Sequence, residues 1–336
     1  MHAWIAGAAL ALLSFVASPA VAAPPAAADL LAEVGYSPAE IARIEGGELV
    51  AHTIDASSER ELVAAFAFFV ATPPADLLSQ ARQGLIDRVD PNTLAFAMVP
   101  GPPSLADFAK LTLDPDAPKQ AQAYVGAKPG GALNLSSQEI AAFGALGSGA
   151  AVPAVEQAVR GALLARLQAY QAKGLAGIAP YALAGGQQRS PADELRSASQ
   201  AAKRLQNYVP AAYQMLLDYP ASKAPGTQEA FRWTRYTAHG EPTVSLTHSL
   251  FVPDGDAWVI VQRQFYVSTG YNSEQAIGAL LPAKNGTIVF YSNRTSTDQV
   301  TGFGGSAKRS IGSKLLASQL QNLYEKVRAT QKKSGA

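Results

Sequence analysis

The chain has 336 residues, 48% hydrophobic and 16% charged, with a net charge of +1 and no cysteine. The lack of cysteine excludes disulfides, thiolate metal sites and cysteine nucleophiles, and the near-balanced charge argues against a nucleic-acid partner. A disulfide-free chain of this length must be held together by its core.

Residues 3–16 form an apolar run broken only by Gly7 and Ser14, followed by Ser18-Pro19 and Ala20-Val21-Ala22. Small residues at both recognition positions suit a signal peptidase. We therefore read an export signal cleaved near Ala22, leaving a single domain over 23–336 in the periplasm or outside the cell. The run is shorter than the roughly 20 residues of a spanning helix, and Pro24-Pro25 suits a new amino terminus better than a continuing helix. Because no Lys or Arg precedes the run, a retained anchor is the competing reading.

Three helix starts carry a Ser with an acidic residue three positions on: Ser37 with Glu40, Ser136 with Glu139, and Ser190 with Asp193. Such pairs satisfy free N–H groups of the first turn reciprocally. Between the first two, 47–52 and 61–71 read as strands, 74–83 as a short helix and 92–99 as another strand. Residues 136–172 are helical in composition with a break at 144–149, and 190–217 read as one further helix ended by Tyr219-Pro220. A helical insertion thus covers about 130–220.

The last third is the most legible. Residues 229–294 read as consecutive antiparallel strands, and 243–252 alternate strictly: Val244, Leu246, His248 and Leu250 fall on one face, Thr243, Ser245, Thr247 and Ser249 on the other. Turns are marked by Pro253-Asp254-Gly255-Asp256 and Ala283-Lys284-Asn285-Gly286. A closing helix over 306–330 spaces Ile311, Leu315, Leu316, Leu320, Leu323 and Val327 so that one stripe should be buried. The expected fold class is α+β: a curved antiparallel sheet gripping a long carboxy-terminal helix, with an additional helical region in the middle of the chain.

Charge is unevenly placed. From Ser306 onward seven Lys and Arg residues face Glu325 alone. A basic helix of this kind can rest on an anionic membrane surface, where each charge contributes about 1 kcal/mol; the alternative is a solvated face with a basic tail.

Residues 264–271 (Gln-Phe-Tyr-Val-Ser-Thr-Gly-Tyr), 288–298 (Ile-Val-Phe-Tyr-Ser-Asn-Arg-Thr-Ser-Thr-Asp) and 302–305 (Gly-Phe-Gly-Gly) resemble a group of uncharacterised exported bacterial proteins. Their order of elements also resembles the START-related helix-grip fold. That resemblance covers about the last 110 residues and implies a lipid or other hydrophobic molecule held between sheet and carboxy-terminal helix. It implies no particular activity, and the helical region before Leu217 exceeds what that fold requires.

Candidate site residues are polar side chains on apolar faces, since burial without a partner costs about 1–3 kcal/mol. His248 lies between Leu246 and Leu250, Arg263 between Val261 and Phe265, and Arg294 shares a face with Ile288 and Phe290. An Arg there can clamp a carboxylate or phosphate head while apolar walls take the tail. Tyr266, Tyr271 and Asn293, inside the resembling stretches, suit ligand contact or strand-edge hydrogen bonds. Internal pairing of these groups remains the alternative.

Enzyme motifs are absent from the sequence: there is no Gly-x-Ser-x-Gly, Ser-x-x-Lys or His-Glu-x-x-His, and no phosphate-loop or dinucleotide fingerprint. Only His52, His239 and His248 follow the export signal, too far apart to suggest a metal site, and no cofactor is implied. The leading reading is an exported binder of a hydrophobic or amphipathic small molecule. The alternatives are a hydrolase on the same scaffold using His248 with a carboxylate, and an envelope interaction factor with a filled core.

Overall fold

The computed structural model describes residues 27–238 and 240–334, so the export signal lies outside the described residues. The chain runs α1 (Ala27–Val34), α2 (Pro38–Glu45), β1 (Val50–His52), β2 (Glu61–Val70), α3 (Pro74–Arg82), α4 (Leu85–Val89) and β3 (Thr93–Val99). It continues with α5 (Ala117–Val125), α6 (Ser137–Gly144), α7 (Val152–Lys173), β4 (Tyr181–Ala182), β5 (Gln188–Arg189), α8 (Pro191–Gln200), α9 (Lys203–Tyr208) and α10 (Pro210–Asp218). The last part is β6 (Gln228–Ala238), β7 (Glu241–Asp254), β8 (Ala257–Val267), β9 (Ser273–Ala283), β10 (Gly286–Ser296) and α11 (Gly305–Ser334). Among the described residues no helix is long and apolar enough to cross a membrane.

The fold is α+β. Eight antiparallel strands form one sheet in the order β1-β2-β10-β9-β8-β7-β6-β3. Strands β6 to β10 are a simple meander, and the amino-terminal strands complete it, β2 beside β10 and β3 beside β6. The helices between β3 and β6 are therefore an excursion between neighbouring strands, laid over one face of the sheet. We call this the insertion face; α3, α4 and α11 cover the opposite, grip face.

On the grip face, Phe66, Phe68 and Tyr291 surround Tyr324 of α11 with ring centroids 5.3, 5.4 and 4.9 Å away. Such aromatic contacts add about 0.5–1.5 kcal/mol per pair to the burial itself. The strict alternation of β7 places Thr243, Ser245, Thr247 and Ser249 on this side, yet they are as buried as the apolar set opposite. Polar partners share that interior: Arg232 pairs with Asp87 at 3.1 Å and donates to Ser249 at 3.1 Å.

Helix α11 departs from the expected single stripe. Leu316, Leu320, Tyr324 and Val327 turn toward the sheet, and Ser313 Oγ accepts the β2 amide of Val63 at 3.1 Å. Ile311 and Leu315 are each 60% exposed, and Phe303 in the turn before the helix is fully exposed. The reason is angular: at 100° per residue Ile311 stands opposite Leu320, so the apolar positions make two stripes rather than one.

On the insertion face, α7 is the central helix. Its Tyr170 stacks on Phe265 of β8 at 4.1 Å, and Trp233 of β6 is fully buried with Nε1 donating to the Asp107 carbonyl at 2.9 Å. The capping pairs of Ser37 and Ser136 close reciprocally. Glu139 also holds Arg166 of α7 at 2.6 Å, so one carboxylate ties a helix start to the core. Ser190 accepts the Asp193 amide at 3.2 Å without a returned bond. The segment expected as one helix over 190–217 is three, broken at 201–202 and at 209, where Pro210 has no N–H to continue the previous helix.

Candidate functional site

The register of the sheet sets one transverse row on the insertion face. Phe231 pairs with His248, His248 with Arg263, Arg263 with Gln275, and Gln275 with Arg294. Side chains directly across from each other in neighbouring antiparallel strands stand about 4.5–5.5 Å apart at Cβ, so this row brings four polar side chains together beneath the helical insertion.

The inner half of the row is closed on itself. His248 is 2% exposed, stacks on Phe231 at 4.4 Å, and has both ring nitrogens occupied, Nδ1 by Tyr170 Oη at 3.1 Å and Nε2 by Glu229 Oε2 at 3.2 Å. Burial pushes its pKa below the ordinary 6.5 despite the opposing pull of Glu229, whose own carboxyl is held low chiefly by its hydrogen bond to the imidazole. A neutral ring follows, with Nε2–H donating to Glu229 and Nδ1 accepting from Tyr170. The Nδ1 lone pair is thus taken up by the Tyr170 hydroxyl, itself fully buried, and neither residue lines the large hollow.

Arg263, 3% exposed, bonds only neutral acceptors: Leu216 O at 2.8 Å, Gln275 Oε1 at 2.9 Å, Ser199 Oγ at 3.0 Å and Tyr170 Oη at 3.4 Å. It staples β8 to α7, α8, α9's successor α10 and β9, with its donors turned inward. Arg166, further along, is a second buried arginine, but it is paired with the Glu139 carboxylate and has its guanidinium 4.2 Å from the Tyr266 ring centroid.

The outer half of the row opens into a hollow of about 530 Å³. Its floor is the apolar alternation of β8, β9 and β10: Val259, Ile277, Ala279, Leu281 and Phe290. One wall is α1 with the segment 53–57 after β1; the other is 201–209 around α9. Arg294 stands at the polar end, where Nη1 donates to Asp55 O at 3.0 Å and to Glu61 Oε2 at 2.6 Å. Beside it is Gln275, 2% exposed, whose Oε1 is taken by Arg263 and Ser199 while Nε2 has no partner. Lys203, Arg204, His52 and Asp254 complete the polar lining. Burial, with Arg204 nearby, lowers the His52 pKa, and burial alone raises that of Asp254.

By contrast, the space between the sheet and α11 holds only about 80 Å³, lined by Phe68, Leu77, Val289, Tyr291, Tyr324 and others. Large aromatic side chains from three elements fill it.

The six residues singled out from the sequence do not form one site. His248, Arg263 and Arg294 share the row, but only Arg294 lines the large hollow. Tyr266 sits on the same face within the core around α7. Tyr271 and Asn293 belong with the grip face: Tyr271 Oη donates to Gln264 at 2.5 Å, and Asn293 bonds Tyr291 Oη at 3.1 Å and Thr295 Oγ1 at 2.8 Å. Gln275 was missed, although its signal was present: it alternates with Ile277, Ala279 and Leu281. Gly278 and Pro282 within β9 obscured that strand. No family model, curated protein or solved structure matches the chain, so no activity or ligand comes to it from a relative.

Proposed function

We propose that the protein binds an amphipathic or apolar small molecule in the hollow of the insertion face. The observation that carries this reading is the hollow itself, about 530 Å³ with an apolar floor and a polar end. Ligand sites are typically about 300–1,000 Å³, apolar with a few placed polar groups. The space beneath α11, at about 80 Å³, is too small for a lipid, which favours the other side of the sheet from the one the helix-grip resemblance implies. The amino-terminal pattern supports an exported protein, which would meet such molecules in the envelope. The test is native mass spectrometry of the full chain purified from cells that make it, with extraction and identification of any bound molecule. An added mass that disappears in Ala279→Phe, which fills the floor, is the expected result. A chain that emerges empty and takes up none of a panel of fatty acids, alcohols and phospholipids would overturn the reading.

One further contact is favoured by a separate observation. The outward face of α11 carries exposed Ile311 and Leu315 between Lys308 and Lys314, with Phe303 projecting from the preceding turn. Apolar side chains framed by lysines match the boundary of an anionic membrane. We propose peripheral contact there, placing the protein where an amphipathic ligand is found.

A further inference from the structure

The polar end of the hollow points to the chemistry of the ligand, an inference that rests on the binding reading above. Gln275 has a settled orientation. Its Oε1 accepts from Arg263 Nη2 at 2.9 Å, and because a guanidinium has no acceptor, a flipped amide would set donor against donor there; Ser199 Oγ lies 3.0 Å from the same oxygen. The Nε2 group is then left as a buried donor with no acceptor, in a side chain that lines the hollow. Across the strand pair stands Arg294, whose bonds to Asp55 and Glu61 both use Nη1. Two donors thus lie side by side where the apolar floor ends, and the cost of leaving a buried donor unpaired favours a bound acceptor.

The surrounding charges narrow the class. Arg294, Lys203 and Arg204 are balanced against Asp55, Asp254 and Glu61, all of which line the hollow or touch Arg294. A dianionic phosphate would face Asp55 and Glu61 beside Arg294, with Asp254 at the far end of the hollow, whereas a monoanion meets the two donors with less repulsion. We infer that the hollow takes a molecule with a single carboxylate head on Gln275 Nε2 and Arg294, its unbranched tail lying along Ile277, Ala279, Leu281 and Phe290. A free fatty acid has this chemistry.

The test is calorimetric titration of the full chain with decanoate and with decan-1-ol, which share a tail and differ in the head. Decanoate should bind about tenfold or more tighter, the effect of one or two hydrogen bonds to a charged group. Gln275→Glu keeps the acceptor for Arg263 and Ser199 but removes the free donor and adds a negative charge; it should abolish that preference, with decanoate losing far more affinity than decan-1-ol. Arg294→Lys, at the hollow's edge, should weaken decanoate severalfold, and serves if Gln275→Glu does not fold. Equal affinity for the two probes, or a preference untouched by either variant, overturns the head-group inference while the hollow stands as a binding site. Failure of both probes to bind the native chain overturns the inference together with the reading beneath it.

Discussion

Replacing Arg263 with Met separates a structural staple from a ligand clamp. The guanidinium is 3% exposed and its bonds reach Leu216 O, Gln275 Oε1, Ser199 Oγ and Tyr170 Oη. In the variant the single Ser199 hydroxyl hydrogen still has Leu195 O and Gln275 Oε1 as acceptors within reach, and Tyr170 still donates to His248, so those hydroxyls keep partners. The Leu216 carbonyl loses its guanidinium donor and Gln275 Oε1 retains only Ser199. At about 1–3 kcal/mol per buried group left unpaired or underpaired, the loss is about 2–6 kcal/mol. Removing a buried cation that has only neutral partners relieves a desolvation cost, which offsets part of it. We expect a net destabilisation of about 2–3 kcal/mol, read in urea unfolding as a lower midpoint at unchanged slope. Arg263→Lys should recover only part of this, because a single ammonium cannot span four acceptors in a planar fork. A variant within about 0.5 kcal/mol of the native chain, the scatter expected of neutral surface changes, would refute the staple. If such a variant also lost ligand binding, Arg263 would be a clamp after all.

Other expectations follow from the same geometry. His248 is held neutral by burial, so its native pKa lies below the unfolded value near 6.5; its contribution is intact above that value and shrinks as pH falls below it, where only the unfolded chain takes up the proton. Unfolding midpoints compared between pH 8 and pH 5 should therefore fall more in the native chain than in His248→Gln, and parallel falls would show that the imidazole is not the source. Gly174 ends α7 with φ of 56°, and a Cβ there would run into the Tyr219 carbonyl. Gly174→Ala should cost more than about 2 kcal/mol, and a thermal midpoint unchanged from native would contradict that packing. Sedimentation with vesicles should show binding to anionic but not neutral bilayers, weakened by salt and by Phe303→Ser with Ile311→Ser; binding indifferent to charge, or unaltered in the variant, would remove α11 as the contact.

Much of the architecture is local in origin and so legible in the chain. Period-two alternation over 243–252, the Asp-Gly and Asn-Gly turns, and the Ser136–Glu139 cap each act within a few residues, and each forms as expected. The two-stripe character of α11 was also written in its spacing, but which stripe would meet the sheet depended on where β2 lies, a matter of long-range pairing. Residues 190–217 look continuous because Ala, Leu and Gln favour helix everywhere; the breaks at 201–202 and 209 let α9 turn away to form a wall of the hollow.

Propensity, capping and alternation are short-range, so most of the elements, their order, the class α+β and the polar residues stranded on apolar faces can be read from the chain alone. Which of those residues meet depends on long-range packing. His248, Arg263, Gln275 and Arg294 become neighbours solely through the register of four strands, and a shift of one residue would have sent each to the opposite face. The fate of the space on either side of the sheet was likewise a matter of packing: Tyr291 and Tyr324 fill the grip face, whereas small Ala279 beneath the gap between α1 and α9 leaves the other side open. Volume left over is set by the sum of side chains from distant segments, and no local pattern encodes that sum.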